Sequence, residues 1–401
     1  MAFADADVVA VDRIGAFSYT SSVMQMGDPF SVVVPDPRGR FVGKLLPGWS
    51  IRFYMSNPAV NGGAPTLKVS GIIVEREVTS DDSGTVIRIT GADIGWHLMN
   101  NDAPLWFNLR RSSGASPTLL ELARACILPH LVWPRQADPR WGFDERIRDS
   151  NLDNRTRKKG LVITAAEELS LQLAGIQAPV QVQPGQKIAD VLVEWARRAG
   201  LMVGVSVDHR LQFFLPDYVQ EPEHEIYLYA TDDPLARTFN NAQRATRSDT
   251  LDSQYTHVTV VGESPIRSLV GVDPTFAPQF ATIYGRATPS DWPAGVMPPP
   301  FRRYASICDG EITRHPERRA IWFQRRGLFD AQTLRFDVRG HHQNGAWWEA
   351  DSMCVVRSPP LGVDGAFYVP SVECRRSMQD GDVTVVTLKR PDLLTEIPVR
   401  P

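Results

Sequence analysis

The chain lacks most of what would mark an enzyme, a membrane protein or a nucleic-acid binder. Its four cysteines, Cys126, Cys308, Cys354 and Cys374, are far apart and none sits in a CxxC pair. That excludes the common redox and zinc spacings and reads them as buried thiols of a reducing compartment. Positive charge is not in excess: the formal net charge is −3, so no surplus of cations is available to hold a phosphate backbone by counterion release. No window approaches the roughly 18 uninterrupted apolar residues of a membrane-spanning helix. The N-terminal MAFADADVVAVDRIGAF carries acids early and has no basic segment leading into an apolar one, so it is not read as a secretion signal. GxSxG, HExxH, GxxxxGK[ST] and a strand–GxGxxG–helix unit are all absent. No fixed-period repeat is present, which excludes a solenoid.

What is present is a foldable, turn-rich chain. Of 401 residues, 43% are hydrophobic and 22% charged, and the 31 prolines and 29 glycines are accompanied by 10 tryptophans and 17 phenylalanines. That composition belongs to a globular protein of several modules, not to a disordered one. Residues 1–100 read as all-β: FSYTSSV, PFSVVVPD, SIRFYMS, TLKVSGIIVEREV and TVIRITGA alternate or run β-branched. Turn signals lie between them at Asp36-Pro37-Arg38-Gly39, Pro47-Gly48, Asn61-Gly62-Gly63 and Asp81-Asp82-Ser83-Gly84. Residues 101–180 read as a helical and loop insert. SPTLLELARACILPHL enters at Ser116-Pro117 and ends at Pro129, a polar loop spans 138–160, and TAAEELSLQLAG is a second short helix.

Residues 181–240 read as a β-α-β-β module. Pro184-Gly185 precedes KIADVLVEWARRAG, which puts Ile188, Val191, Leu192, Trp195 and Ala199 at helical spacing, and a hairpin follows around Asp208-His209. Residues 241–401 hold a long Pro-rich loop at 271–300, then a charged helix and a second run of strands. The strand QYTHVTVVGE, near 254–263, is a candidate to return and complete the first barrel. The expected fold class is α+β, mainly β, with a small β-barrel at each end of the chain and α/β modules inserted between.

Candidate chemistry has a plainer alternative at each position. His341-His342, with His315 and Asp337, is the sharpest metal candidate, but adjacent strand residues point to opposite faces. Glu167-Glu168 diverge on a helix and do not form a carboxylate pair. No catalytic, cofactor or metal residue is assigned. Two features suggest interfaces. Arg155, Arg157, Lys158 and Lys159 form a basic run that suits an acidic protein surface better than nucleic acid, since no interleaved aromatics supply stacking; a solvated loop is the alternative. Trp347-Trp348 project to opposite sides of a strand, so one enters the core and the other is expected to be partly exposed or to meet a neighbour, and one of the two is expected at a subunit contact.

The ordered set of features resembles the baseplate hub proteins of contractile-tailed phages, in the Mu-like tail protein family. The resemblance rests on PGWSIRFYM leading to LKVSGIIVEREV and on the exit VIRITGADIGWHLMN with Asp93 and Leu98. It also rests on VQPGQKIADVLVEWARRAGLMVGVSVDHRLQFF, on HPERRAIWFQRRGLFDAQTLRFDVRGHHQNGAWWEADSMCVV, and on the closing LKRPDLL. It covers about three quarters of the chain and departs in 138–160 and 271–300. It implies two tube-like β-barrel domains per subunit and a homotrimer forming a pseudo-sixfold ring. The implied partners are a tail spike protein, a tail tube or tube-initiator protein, baseplate wedge proteins and a tape-measure protein. DNA would be present only in transit, with no cofactor and no membrane anchoring. The implied location is the virion, at the tail baseplate, after assembly in the bacterial host cytoplasm. A peptidoglycan-binding or cell-wall-degrading tail component is the alternative, because the PGQKIADVLVEWARRAGL unit also resembles a LysM-like pattern.

Overall fold

In the computed structural model, residues 9–103, 182–262, 283–287, 303–308 and 316–391 are described, apart from a few positions within these spans. The helices expected at 116–128 and 164–175, the loop 138–160 and the basic run Arg155–Lys159 lie outside the described residues.

Alternation of apolar and polar residues produces the first strands. They are β1 (Ala16–Ser22), β2 (Pro29–Pro35), β3 (Ser50–Met55), β4 (Thr66–Asp81) and β5 (Gly84–Asp93). In β5, Ile87 and Ile89 are fully buried while Arg88 between them is exposed, as a strand with one wet face requires. The Pro47-Gly48 elbow puts Gly48 at φ 86° and returns the chain into β3. At Gly91 a Cβ would lie 2.1 Å from the Ile72 carbonyl oxygen and 2.4 Å from the Phe30 ring, so glycine is what lets β5 cross there. Inside this curl Phe17 of β1 meets Phe53 of β3 at 4.9 Å between ring centroids. The core is built on Tyr19, Phe30, Val32, Val34, Ile73 and Ile87.

The chain next reaches α1 (Gly95–Asn100), then α2 (Ile188–Arg198), which buries Ile188, Val191, Leu192 and Ala196 on one face. The paired strands β6 (Met202–Val205) and β7 (Leu211–Phe214) follow. After β8 (His224–Tyr227) and β9 (Ala242–Asp249), a separate three-stranded sheet holds β10 (His257–Gly262), β11 (Ile283–Ala287) and β12 (Arg303–Cys308). Two expectations are corrected here. The strand near 254–263 pairs with β11 and β12 and does not complete the first barrel. The stretch 271–300 is not wholly loop, because β11 forms within it. Helix α3 (Pro316–Ala331) buries Ala320 and Ile321 with Val258 of this sheet, and Leu328 and Phe329 with Met353 and Tyr368.

The closing strands are β13 (Gln332–Arg339), the short pair β14 (His342–Gln343) and β15 (Ala346–Trp347), and β16 (Ser352–Ser358), β17 (Val363–Ser377) and β18 (Gly381–Lys389). They pair in the order β16–β17–β18–β13–β9, and β8 lies parallel to β16. The remaining seam, between β8 and β9, is closed by asparagine side chains. Tyr227 N–H donates to Asn241 Oδ1 (2.9 Å) and Asn241 Nδ2 donates to the Glu225 carbonyl (2.7 Å). Asn240 does the same on Tyr229, accepting from its N–H at 2.7 Å and donating to its carbonyl at 3.1 Å. Each carboxamide uses one N–H donor and its oxygen acceptor here, the same pair a backbone residue offers a ladder. The ring encloses Phe336, Val356, Trp348, Val386 and Leu388, all 1% exposed or less, each contributing roughly 1.5–3 kcal/mol by burial.

What unites the two halves is β17. Its far end pairs antiparallel with β1, from Phe17 opposite Arg376 to Ser22 opposite Ser371. The two β modules therefore share one eleven-stranded sheet. No described helix is long and apolar enough to cross a membrane.

Candidate functional site

The sheet has one face in the two cores and one in water. Register places a single row of side chains on the wet face from one half to the other. Arg339 lies opposite Val383, Val383 opposite Arg375, Arg375 opposite Ser18, Ser18 opposite Ser31, Ser31 opposite Thr90, and Thr90 opposite Glu75. Directly opposed residues in antiparallel pairs share a face, so this row crosses seven strands; it is polar except at Val383 on β18, which is buried at 5% exposure.

Charges on this face are largely matched. Arg335 Nη2 lies 3.2 Å from Glu373 Oε2, Arg375 Nη2 lies 3.8 Å from Asp337 Oδ2, and Arg375 Nε lies 4.0 Å from Glu373 Oε1. Exposed pairs of this kind stabilise by about 0–1 kcal/mol each; their larger effect is to keep the face polar without a strong field. The face is concave where the halves meet, forming a cleft of about 570 Å³ bounded by Arg88 on β5 and by Arg244 on β9.

The second feature is the contact between halves. Lys68 Nζ on β4 pairs with Glu349 Oε1 at 2.9 Å and lies 4.9 Å from the Trp347 ring centroid. Burial lowers the Lys68 ammonium to about 8, because a low-dielectric site disfavours the charged form. Trp347 Nε1 donates to Thr66 Oγ1 at 3.2 Å. Asn57 Nδ2 and His342 Nε2 are 2.8 Å apart, while His341 Nδ1 turns the other way, 2.9 Å from Thr384 Oγ1. The two histidines diverge, as neighbours on an extended chain do. No cluster of three or more metal-ligating side chains is found among the described residues.

Trp347 and Trp348 do project to opposite sides, and of the two expected outcomes for the second ring, exposure or a neighbour, the structure has the neighbour. Trp347 is 7% exposed, against the first half; Trp348 is 1% exposed, in the second core, its ring centroid 4.0 Å from that of His224. Two cores flank this segment, so both rings find one. The sequence reading missed Lys68, Glu349, Asn240 and Asn241. The Asn-Asn dipeptide before a strand was the one available signal; the Lys–Glu pair is 281 residues apart and left none.

Among the described residues, two carboxyls on the first module are also perturbed. Burial raises Asp93 to about 6, partly offset by backbone hydrogen bonds from Gly95 and Asp28, and burial with the neighbouring Asp93 raises Asp28 well above its usual value. Asp28 lies in the β1–β2 turn, where its carboxylate accepts from Ser22 N–H at 3.1 Å and its carbonyl accepts from Asp93 N–H at 3.0 Å. Burial alone raises the Cys354 thiol and, with other contributions, that of Cys374.

No protein-family model matches the chain, and no curated protein does. Among solved structures it is similar to the tail protein from Neisseria meningitidis MC58, with a TM-score of 0.64 and 18% identity over 95% of this chain and 94% of that one. It is also similar to the 43 kDa tail protein of prophage MuSo2 from Shewanella oneidensis, with a TM-score of 0.61 and 15% identity over 95% of both chains. The Francisella PdpA–VgrG complex gives a TM-score of 0.51 and 10% identity over 97% of this chain and 55% of that one. The chain has the mainly β fold of phage tail proteins.

Proposed function

We propose that the protein is the structural hub of a contractile phage-tail baseplate. Three copies form a ring that joins the tail tube to a central spike and lets DNA pass. The observation that carries this reading is the shared sheet: two β modules lie side by side in one subunit and share one face that is largely polar and interrupted by Val383 on β18. A subunit with two adjacent modules supplies six positions from three copies, which would match a sixfold tube to a threefold spike. A closed heterologous ring also covers strand edges that invite aggregation in a lone subunit. β3 is such an edge, bonded to β4 on one side only among the described residues.

In this assembly the polar face lines the channel, and its matched charges leave little to hold a passing phosphate backbone. The partners are the spike, the tube or its initiator, wedge proteins and the tape-measure protein; the protein belongs to the virion and assembles in the host cytoplasm. The role is mechanical and involves no catalysis. Basic residues 155–159 are proposed to face a partner protein. The test is the solution mass, alone and with the spike, followed by electron microscopy of the ring. A trimer with six-lobed projections supports the hub; a monomer indifferent to the spike overturns it.

A further inference from the structure

The cleft between the halves differs from the rest of the polar face. Four arginines, Arg88, Arg244, Arg375 and Arg376, line it together with two aspartates, Asp337 and Asp380. With Glu373 and Asp382, which hold two of these arginines, the charges balance in number, and the difference lies in which arginines are paired. Arg375 is held by Asp337 and Glu373, and Arg376 lies 3.4 Å from Asp382. Arg88 and Arg244 have no ion-pair or hydrogen-bond partner among the described residues, and both are exposed. They come from strands at opposite sides of the junction, β5 and β9, and the lining from the strands between carries the hydroxyls of Ser18 and Ser31 beside the apolar Ala16, Val33 and Val383.

We propose that this cleft binds an acidic, extended protein segment, with carboxylates paired to Arg88 and Arg244 and the backbone running over the mixed serine and valine floor between them. The proposal deepens the hub reading by naming what its inner face holds. Guanidinium groups bind carboxylates through two parallel N–H···O bonds, and the pair here is spaced across the cleft and not clustered. A nucleic acid fits less well. A phosphate backbone carries continuous charge that Asp337 and Asp380 interrupt. The one aromatic in the lining, Phe17, is packed against Phe53 and His341 and offers no stacking platform for bases. A peptide places its acids at intervals and leaves the aspartates unopposed.

The test is fluorescence anisotropy with the full chain and a labelled alternating Glu-Gly peptide. A Lys-Gly peptide and a single-stranded oligonucleotide of equal length serve as comparators. The expected result is salt-sensitive binding of the Glu-Gly peptide alone, weakened about tenfold or more by Arg88→Ser with Arg244→Ser. Both sites are exposed, so the variant keeps its thermal midpoint, which is measured alongside. Binding no better than the Lys-Gly peptide, or binding untouched by the double substitution, overturns the proposal. Tighter binding of the oligonucleotide overturns it in favour of a nucleic-acid track. The mass of the same sample separates the two readings: a trimer that ignores the peptide sinks the cleft and spares the hub, whereas a peptide-binding monomer does the reverse.

Discussion

Lys68 and Glu349 meet at 2.9 Å across 281 residues of chain, and with the Trp347 ring beneath the ammonium they pin the first β module to the second. The Lys68 side chain is 5% exposed and that of Glu349 35%. Removing one partner strands a buried charge, which costs more than the pair contributes. Glu349→Gln is therefore expected to lower stability by about 1–3 kcal/mol, while Lys68→Met with Glu349→Gln loses less than the single change. Urea denaturation of the two single variants and the double variant checks this. Additive losses would show that the pair is not coupled.

The seam asparagines make a separate prediction. Asn241→Ala removes the acceptor for Tyr227 N–H and the donor to the Glu225 carbonyl, an expected loss of about 1–3 kcal/mol. Asn241→Asp retains the acceptor but sets a carboxylate against that carbonyl, so it should not rescue. Hydrogen exchange at Tyr227 reads the acceptor half of the seam directly: protection should fall in Asn241→Ala and persist in Asn241→Asp and in Asn57→Ala, which is far along the chain.

Asp93 gives the pH dependence. Its folded-state value of about 6 lies above the ordinary carboxyl value of 3.8, so the folded protein holds a proton that the unfolded chain releases between these values. The stabilising contribution is complete below pH 3.8 and is lost as pH rises through 6. Asp93→Asn, which preserves an oxygen for the Gly95 N–H bond of 2.7 Å, should raise stability at pH 7 by about 1–3 kcal/mol. It should also flatten the slope between pH 4 and 6. An unchanged slope would assign the pH response to another group, with Asp28 the first to examine.

The tryptophans separate packing from interface. Trp348→Ala opens a cavity in the second core and should cost about 3–5 kcal/mol. Trp347→Phe keeps the ring over Lys68 and loses one hydrogen bond, about 1 kcal/mol. Thermal melts decide it. A Trp347→Phe variant that keeps its melting midpoint and loses oligomers would support a subunit contact at that residue.

Local patterns carried much of the fold. Alternation in TVIRIT marked β5, helical spacing marked α2, and the charged run after His315 marked α3. Pairing was not legible, because it is set by partners far along the chain. QYTHVTVVGE reads as a strand from its β-branched residues, yet nothing in it says that β11 and β12, and not β5, receive its hydrogen bonds. The same limit explains Trp347: burial by a second module cannot be inferred from one strand's polarity. The polar face became visible only when register aligned Arg375 with Ser18 and Ser31 with Thr90.

The central claim is a ring of three subunits, and the solution mass by light scattering tests it most directly. With a 44.7 kDa chain, the account predicts the mass of three subunits for the purified protein, or a monomer that becomes trimeric when the spike is added. A monomer that stays monomeric with the spike would contradict it.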